Sequence, residues 1–108
     1  MLVLFDHSTP APLSSYLTGH TVVEAGDKGW DRLSNGDLLA EAERAGFDVL
    51  LTADNSIAYQ QNLKGRKIAL VVLSRNRWRS VQRVTRRILA AVDAAGPGSY
   101  TLIEVPIK

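Results

Sequence analysis

Two aspartates follow two short apolar segments, and their positions predict that they face each other at one site. Residues 2–5 run directly into Asp6, and residues 48–51 run through Thr52 to Asp54. Short apolar segments followed by turn-forming residues are typical of buried parallel strands. Ligand sites in open parallel sheets form at the carboxyl ends of the strands. Two carboxylates at this edge would repel each other unless a cation or a shared proton lay between them.

A predicted helix over residues 36–45 adds two more acids near this edge. Asp37 and Glu41 are four residues apart and therefore share one face of that helix. Three or four convergent carboxylates form the ligand set of hard cations such as Mg²⁺ or Mn²⁺, which activate water and neutralise the leaving oxygen in phosphodiester hydrolysis. Each of the four acids also has a structural interpretation, as a turn residue, a helix cap, a dipole acid or a surface ion-pair partner.

The composition limits the class of protein. A chain of 108 residues, 45% of them hydrophobic, is expected to form a single domain over 1–108 with one ordinary core. The chain has no cysteine, which excludes disulfides, zinc thiolate sites and thiol nucleophiles. The longest aliphatic run, 68–73, is too short to span a bilayer, and no basic region precedes the apolar start. We therefore expect a cytoplasmic protein with no membrane partner.

Charge is distributed unevenly along the sequence. Residues 1–63 contain three basic and nine acidic side chains, whereas residues 64–87 contain nine basic side chains and no acid. A solvated helix face accounts for many charge runs, but an asymmetry of this size favours an anionic partner. Arg75 and Arg77 follow a predicted strand and so share the sheet edge with the acids. We predict that both contact nucleic-acid phosphates.

Other polar and aromatic side chains near this edge have two interpretations each. Gln61 and Asn62 follow Asp54 and are predicted to hydrogen-bond sugar and base edges of a nucleic acid, although a solvated helix end explains them equally well. Trp78 could stack on a base, but the helical period favours a core position. The sequence has no nucleophile-elbow motif and no glycine-rich phosphate loop, so acyl transfer and nucleotide binding of the Walker or dinucleotide type are not supported.

Strands and helices are predicted to alternate along the whole chain. The apolar segments predict five strands, over 2–5, 20–25, 48–52, 67–73 and 100–105, and four intervening helices, over 11–18, 36–45, 56–62 and 77–94. Strict alternation with short connections predicts a three-layer α/β/α domain with a mainly parallel five-stranded sheet. The continuous β-branched and leucine run of the fourth strand favours the centre of the sheet.

Several segments resemble a small PIN-like family of bacterial and archaeal proteins that is often placed with toxin–antitoxin nucleases. They are LFDHSTP (4–10), GHTV (19–22), NGDLL (35–39), GFDVLLTAD (46–54), YQQNL (59–63) and NRW (76–78). They occur in the family's order over nearly the whole chain. The resemblance implies a PIN-like fold and a Mg²⁺- or Mn²⁺-dependent ribonuclease activity.

The resemblance also assigns roles to individual acids. The family's acid after the first strand matches Asp6, its helix acid matches Asp37, and the acid of its T-x-D turn matches Asp54. These three would be the catalytic and metal-binding acids, with Glu41 as an additional metal ligand. The leading interpretation is therefore a metal-dependent endoribonuclease that acts on RNA as the toxin of a toxin–antitoxin module.

Two departures from the family pattern keep alternatives open. Ser56 stands where relatives often carry a further acid, and His7 stands where many have one. Both favour a second interpretation, a catalytically degenerate PIN-like interaction protein that forms a homodimer or binds an acidic antitoxin protein. A third interpretation is a phosphoacceptor receiver-like signalling domain, with Ser74 after the fourth strand. That family normally has paired acids after the first strand, and here His7 replaces the second one.

Overall fold

Five strands form one parallel sheet in the computed structural model, which describes residues 1–57, 63 and 65–107. The strands are β1 (Leu2–Phe5), β2 (Thr21–Glu24), β3 (Val49–Thr52), β4 (Ala69–Leu73) and β5 (Tyr100–Ile103). Their order is β2-β1-β3-β4-β5, and every neighbouring pair is parallel. The predicted three-layer α/β/α architecture with a mainly parallel five-stranded sheet is confirmed. The centre of the sheet is β3, with β4 beside it, so the predicted central position of the fourth strand is wrong by one place.

Helical segments connect the strands, and two of them differ from the prediction. The helices are α1 (Asn35–Arg44), α2 (Trp78–Val81) and α3 (Thr85–Ala94), with 3-10 helices at Ala11–Tyr16, Ala25–Lys28 and Gln82–Val84. The helix predicted over 77–94 is interrupted because Val84, a β-branched residue of low helix propensity, takes a φ of −125°. The first helix is of the 3-10 type, with Pro12 in its first turn. The helix predicted over 56–62 lies largely outside the described residues.

An apolar cluster covers each face of the sheet, because successive strand residues point to opposite faces. Val3, Phe5 and Leu51 belong to the cluster that α2, α3 and the first 3-10 helix cover. Leu4 and Leu50 belong to the opposite cluster, which α1 covers. Every residue of β3 and β4 is buried, as expected for inner strands of a parallel sheet. None of the described helices is long and apolar enough to cross a membrane.

The strand order predicts a crevice at the carboxyl ends of β1 and β3. The connection that leaves β1 packs on one face of the sheet, whereas Ile57, in the connection that leaves β3, packs on the other face. The two connections therefore diverge between β1 and β3, which is where parallel sheets of this order are expected to bind ligands. Asp6 follows β1 at this crevice, and Thr52 ends β3 there.

Candidate functional site

Asp6 is buried at the carboxyl end of β1 and accepts hydrogen bonds from three side chains. Only 6% of the residue is exposed. Its Oδ1 accepts from the Ser8 amide at 3.1 Å and the Ser8 hydroxyl at 2.7 Å. The Thr9 hydroxyl shares its one proton between this Oδ1, at 3.0 Å, and the Leu51 carbonyl oxygen, at 2.7 Å. Its Oδ2 accepts from the Thr52 hydroxyl at 2.5 Å. These four donors offset the free-energy cost of burying a carboxylate.

Thr52 connects the ends of β1 and β3 through its hydroxyl group. That hydroxyl donates to Asp6 and accepts from the Asp54 amide at 3.0 Å. A second link runs from the Ala53 amide to the Ser8 hydroxyl oxygen, at 2.9 Å. The Thr52 and Ser8 hydroxyl oxygens lie 3.3 Å apart. Because each hydroxyl group donates its one proton to Asp6, this contact adds no further hydrogen bond. The Asp6 carboxylate and the Asp54 backbone amide therefore share the same hydroxyl group.

Asp54 is fixed by its own turn and by the first residue of α1. Its Oδ1 accepts from the Ser56 amide at 3.0 Å and the Ser56 hydroxyl at 2.6 Å, and its Oδ2 accepts from Asn35 Nδ2 at 3.1 Å. The Ser56 hydroxyl and the Asn35 amide lower the pKa of the Asp54 carboxyl below its ordinary value of 3.8, and the nearby His7 lowers it further. Burial opposes this shift without reversing it. Asp54 is therefore an anion at neutral pH.

The amino end of α1 lies at this site because Ser34 begins the helix. The Ser34 hydroxyl accepts from the Asp37 amide at 3.3 Å, a typical N-cap. The cap presents Asn35, rather than Asp37, to Asp54. Asp37 is exposed in the first helical turn, where an acid stabilises the helix dipole.

The two helix acids do not join the network around Thr52. Glu41 forms an ion pair with Arg44, as one of its two interpretations predicted. Within the described part of the chain, no group of three or more histidine, aspartate or glutamate side chains is close enough to hold one metal ion. Asp6 and Asp54 are the two acids that contact Thr52, and the metal-binding roles of Asp37 and Glu41 stay predictions.

The oxygen donors at this sheet edge are of the type that hard divalent cations prefer. Mg²⁺ is usually bound through one or two carboxylates and keeps water or substrate phosphate at its remaining positions. Oδ2 of Asp6 and Oδ2 of Asp54 each accept one hydrogen bond from the described residues, which leaves each atom a further lone pair. The chemistry of this donor set is therefore compatible with Mg²⁺ or Mn²⁺.

The predicted RNA-contacting arginines follow β4, next to the turn that contains Asp54. Asn55 Nδ2 donates to the Ser74 carbonyl oxygen at 3.4 Å and so connects the two loops. Arg75 and Arg77 are both exposed. The other two predicted RNA contacts, Gln61 and Asn62, lie outside the described residues.

Trp78 occupies a position between the core and the surface. It is half-buried and packs against the apolar cluster beneath α2 and α3, as the helical period predicted. Its ring also contacts Tyr16, with centroids 5.7 Å apart. Tyr16 is 42% exposed, so one aromatic edge of this pair reaches the surface.

Sequence reasoning missed Ser8 and Asn35 as partners of the two acids, and did not assign Ser56 this role. A signal for the serines was present, since Asp-x-Ser occurs after β1 and again after β3. In both turns the aspartate Oδ1 accepts from the amide and the hydroxyl of the serine two residues later. This is the turn that aspartate favours. The contact of Asn35 depends on how α1 is docked, which no local pattern reveals.

Comparison with known proteins gives no information on function, so the functional interpretation depends on the site alone. Neither a model of a protein family, nor a curated protein, nor a solved structure matches this chain. The residues that carry the functional argument are the Asp6–Thr52–Asp54 network and the two arginines beside it.

Proposed function

We propose that this protein is a metal-dependent endoribonuclease of the PIN-like type. The observation that carries the proposal is that the Asp6 carboxylate and the Asp54 backbone amide share the Thr52 hydroxyl, at the sheet edge where a sheet of this order is expected to bind ligands. The hydrogen bonds that lower the pKa of Asp54 support it, because they keep this carboxylate charged and available to a cation.

The chain's own residues would divide the work of binding and positioning. Asp6 and Asp54 would hold Mg²⁺ or Mn²⁺, with Asp37 as the third catalytic acid and Glu41 as an outer ligand. The ion, when bound, supplies activation of water and neutralisation of the leaving oxygen. Thr52 keeps the two acids in a fixed relation, and Arg75 and Arg77 bind phosphates of the RNA.

The biological setting that we propose follows from the resemblance to PIN-like proteins. The protein would act in the cytoplasm as the toxin of a toxin–antitoxin module, as a homodimer or bound to an antitoxin protein. An acidic antitoxin complements the run of nine basic side chains between residues 64 and 87.

A second candidate function is a PIN-like interaction protein that does not cleave RNA. The observation in its favour is that Asp6 already accepts four hydrogen bonds, a structural role that a turn residue fulfils without any metal. Ser56, where relatives often carry an acid, likewise stabilises the turn of Asp54. Metal binding and cleavage separate the two candidates.

The proposal is tested by RNA cleavage with Mn²⁺ on single-stranded and structured substrates. The Asp54→Asn variant should lose at least about 100-fold of the rate, because one charged ligand is removed. Asp27→Asn, an exposed change in the second 3-10 helix, is the matched control and should retain full activity. Equal rates for wild type and Asp54→Asn would mean contamination and would refute the enzymatic proposal.

Calorimetric titration with Mn²⁺ decides between the enzyme and the interaction protein. The enzyme requires one specific site in the wild type that is lost in both Asp6→Ala and Asp54→Asn. Circular dichroism of both variants verifies folding, and Asp54→Asn supplies the answer if Asp6→Ala does not fold. A folded wild type without a specific Mn²⁺ site supports the interaction protein.

A further inference from the structure

A groove separates the loop after β4 from the segment after β5. Its cavity has a volume of about 360 Å³, and five residues line it: Arg75, Asn76, Arg77, Ser80 and Ile107. The groove opens at the carboxyl edge of the sheet, the same edge that carries Asp6 and Asp54. It is large enough for a phosphate group with part of the attached sugar.

Hydrogen bonds of Ser74 hold the two walls of the groove together. The Ser74 amide donates to the Ile103 carbonyl oxygen at 2.9 Å, and the Val105 amide donates to the Ser74 hydroxyl at 2.7 Å. Val105 is only 3% exposed and belongs to the apolar cluster under α3. The segment that leads to Ile107 is therefore anchored beside the arginine loop.

Among the described residues, no acidic side chain forms an ion pair with a residue that lines the groove. The ion pairs found in the described part of the chain are His20 with Asp93, Arg44 with Glu41, and Arg66 with Glu43, and none of them involves a groove residue. Two exposed guanidinium groups, Arg75 and Arg77, thus line one small cavity. Guanidinium groups in such an arrangement favour an oxyanion that each can bind through two parallel N–H donors.

Ser80 contributes a hydroxyl group to the groove. The residue is only 1% exposed, yet it lines the cavity, and its hydroxyl group is a neutral hydrogen-bond donor. The side-chain amide of the exposed Asn76 is a further neutral donor. Two cations with neutral donors form a suitable set for the oxygens of one phosphate group.

We propose that this groove is a phosphate-binding site that takes one phosphate group of an RNA strand. The naming of RNA rests on the proposed function, whereas the recognition of phosphate rests on the groove alone. The contact of Asn55 with Ser74 joins the groove to the turn of Asp54. A phosphate held by Arg75 and Arg77 therefore fixes the strand next to the two acids, and the phosphodiester that reaches the acids is a neighbouring one.

Binding of a 3′-labelled oligoribonucleotide, measured by fluorescence anisotropy in EDTA, tests the site without cleavage. The double variant Arg75→Gln/Arg77→Gln should bind at least about 10-fold more weakly than wild type, and its salt slope should fall by about 1.4, the value for two lost contacts on a single strand. The matched control, Arg86→Gln/Arg87→Gln, removes the same charge from exposed positions of α3 outside the groove. It should weaken binding less than about threefold. Ser80→Ala should weaken binding a few-fold without changing the salt slope.

Three ligands identify the source of the phosphate. The groove binds a terminal phosphate if an oligonucleotide with a 5′-phosphate binds more tightly than one with a 5′-hydroxyl and if inorganic phosphate competes with it. Equal binding of the two, still lost in the groove variant, assigns it to a backbone phosphate. Direct binding of inorganic phosphate, measured by calorimetry and lost in the groove variant, in a protein that binds neither oligonucleotide retains the phosphate site and refutes RNA as its source.

The inference and the proposed function fail in different experiments. Equal weakening in the groove variant and in the α3 control would overturn the phosphate site, whatever the cleavage assay gives. Groove-dependent binding in a wild-type protein that does not cleave RNA would refute the nuclease and retain the phosphate site.

Discussion

Replacing Thr52 by valine isolates the hydroxyl group on which Asp6 and Asp54 converge. Valine has nearly the same shape and suits a buried strand, and Thr52 is fully buried. The substitution therefore leaves no cavity and removes two hydrogen bonds, the one donated to Asp6 Oδ2 and the one accepted from the Asp54 amide. Its effect on the free energy of unfolding reports the strength of that connection.

The expected loss of stability follows from these two bonds. A hydrogen bond to a carboxylate contributes about 1.5–3 kcal/mol, and a partly buried amide left without its acceptor adds about 1 kcal/mol. Two effects stabilise the valine variant by about 1 kcal/mol in total. Valine has a higher strand propensity than threonine, and it has no hydroxyl group that must be desolvated on folding. The net destabilisation should be about 2 kcal/mol. With a urea m-value of about 1.5 kcal/mol per M, the unfolding midpoint should fall by about 1.3 M.

Urea titrations followed by circular dichroism measure this shift, with Thr101→Val as the control. Thr101 is a half-buried residue of β5 whose hydroxyl makes no hydrogen bond to a described residue, so its variant should stay within about 0.5 kcal/mol of wild type. A Thr52→Val midpoint that matches the control would refute the view that this hydroxyl joins the two strand ends. If the nuclease proposal is correct, Thr52→Val should also reduce the cleavage rate while the protein is folded.

Three further substitutions test other parts of the structure. Ser56→Ala should cost about 0.5–1 kcal/mol at pH 7, because it removes a hydroxyl donor to the Asp54 carboxylate. The hydrogen bonds that lower the pKa of Asp54 stabilise the folded state at pH values above about 3.8, the pKa of this group in the unfolded chain. This stabilisation is lost as the pH falls through the lower pKa of the folded protein. The urea midpoints of this variant and of wild type should therefore converge below pH 3.8. Glu43→Gln should lower the unfolding free energy by about 1–2 kcal/mol, measured in the same way, because the carboxylate accepts from two backbone amides before β4 and from an arginine. Gly98→Ala should lower the thermal midpoint more than Gly19→Ala. Both glycines have a positive φ, of 73° at Gly98 and 85° at Gly19. A Cβ at Gly98 would lie 3.1 Å from a carbonyl oxygen, whereas a Cβ at Gly19 would have no atom within 4 Å. A left-handed alanine costs about 1–2 kcal/mol in either case, and equal midpoints would show that the close approach at Gly98 is relieved without cost.

The strands were predictable because each is specified by a local run of residues. The positions at which the strands end were not predictable. Continuous apolar runs identify all five strands, but β4 begins at Ala69 rather than at residue 67. The amides of Lys67 and Ile68 instead donate to the carboxylate of Glu43, which belongs to α1. A side chain 24 residues away in sequence thus competes for the backbone donors, and no window of sequence contains that information.

The candidate site was predictable in part for the same reason. The parallel-sheet rule correctly brings Asp6 and Asp54 to one edge, because the positions of both depend only on where strands end. The contact of Asp54 with Asn35 instead of Asp37 depends on the rotation of α1 about its axis. That rotation is set by which apolar side chains of the helix pack on the sheet, and a shift of one position along the helix turns its face by about 100°.

The pairing of β1 has a consequence for how the protein acquires its site during folding. In the sheet β1 lies between β2 and β3, and Leu4 is paired with Val23 on one side and Leu50 on the other. Each pairing requires the loop between its two strands to close, and such non-local contacts slow folding. Asp6 and Thr52, 46 residues apart, meet only after the loop between β1 and β3 has closed. Chains in which these two strands are not yet paired therefore hold no preassembled site, and metal binding by Asp6 and Asp54 should appear together with this pairing during refolding.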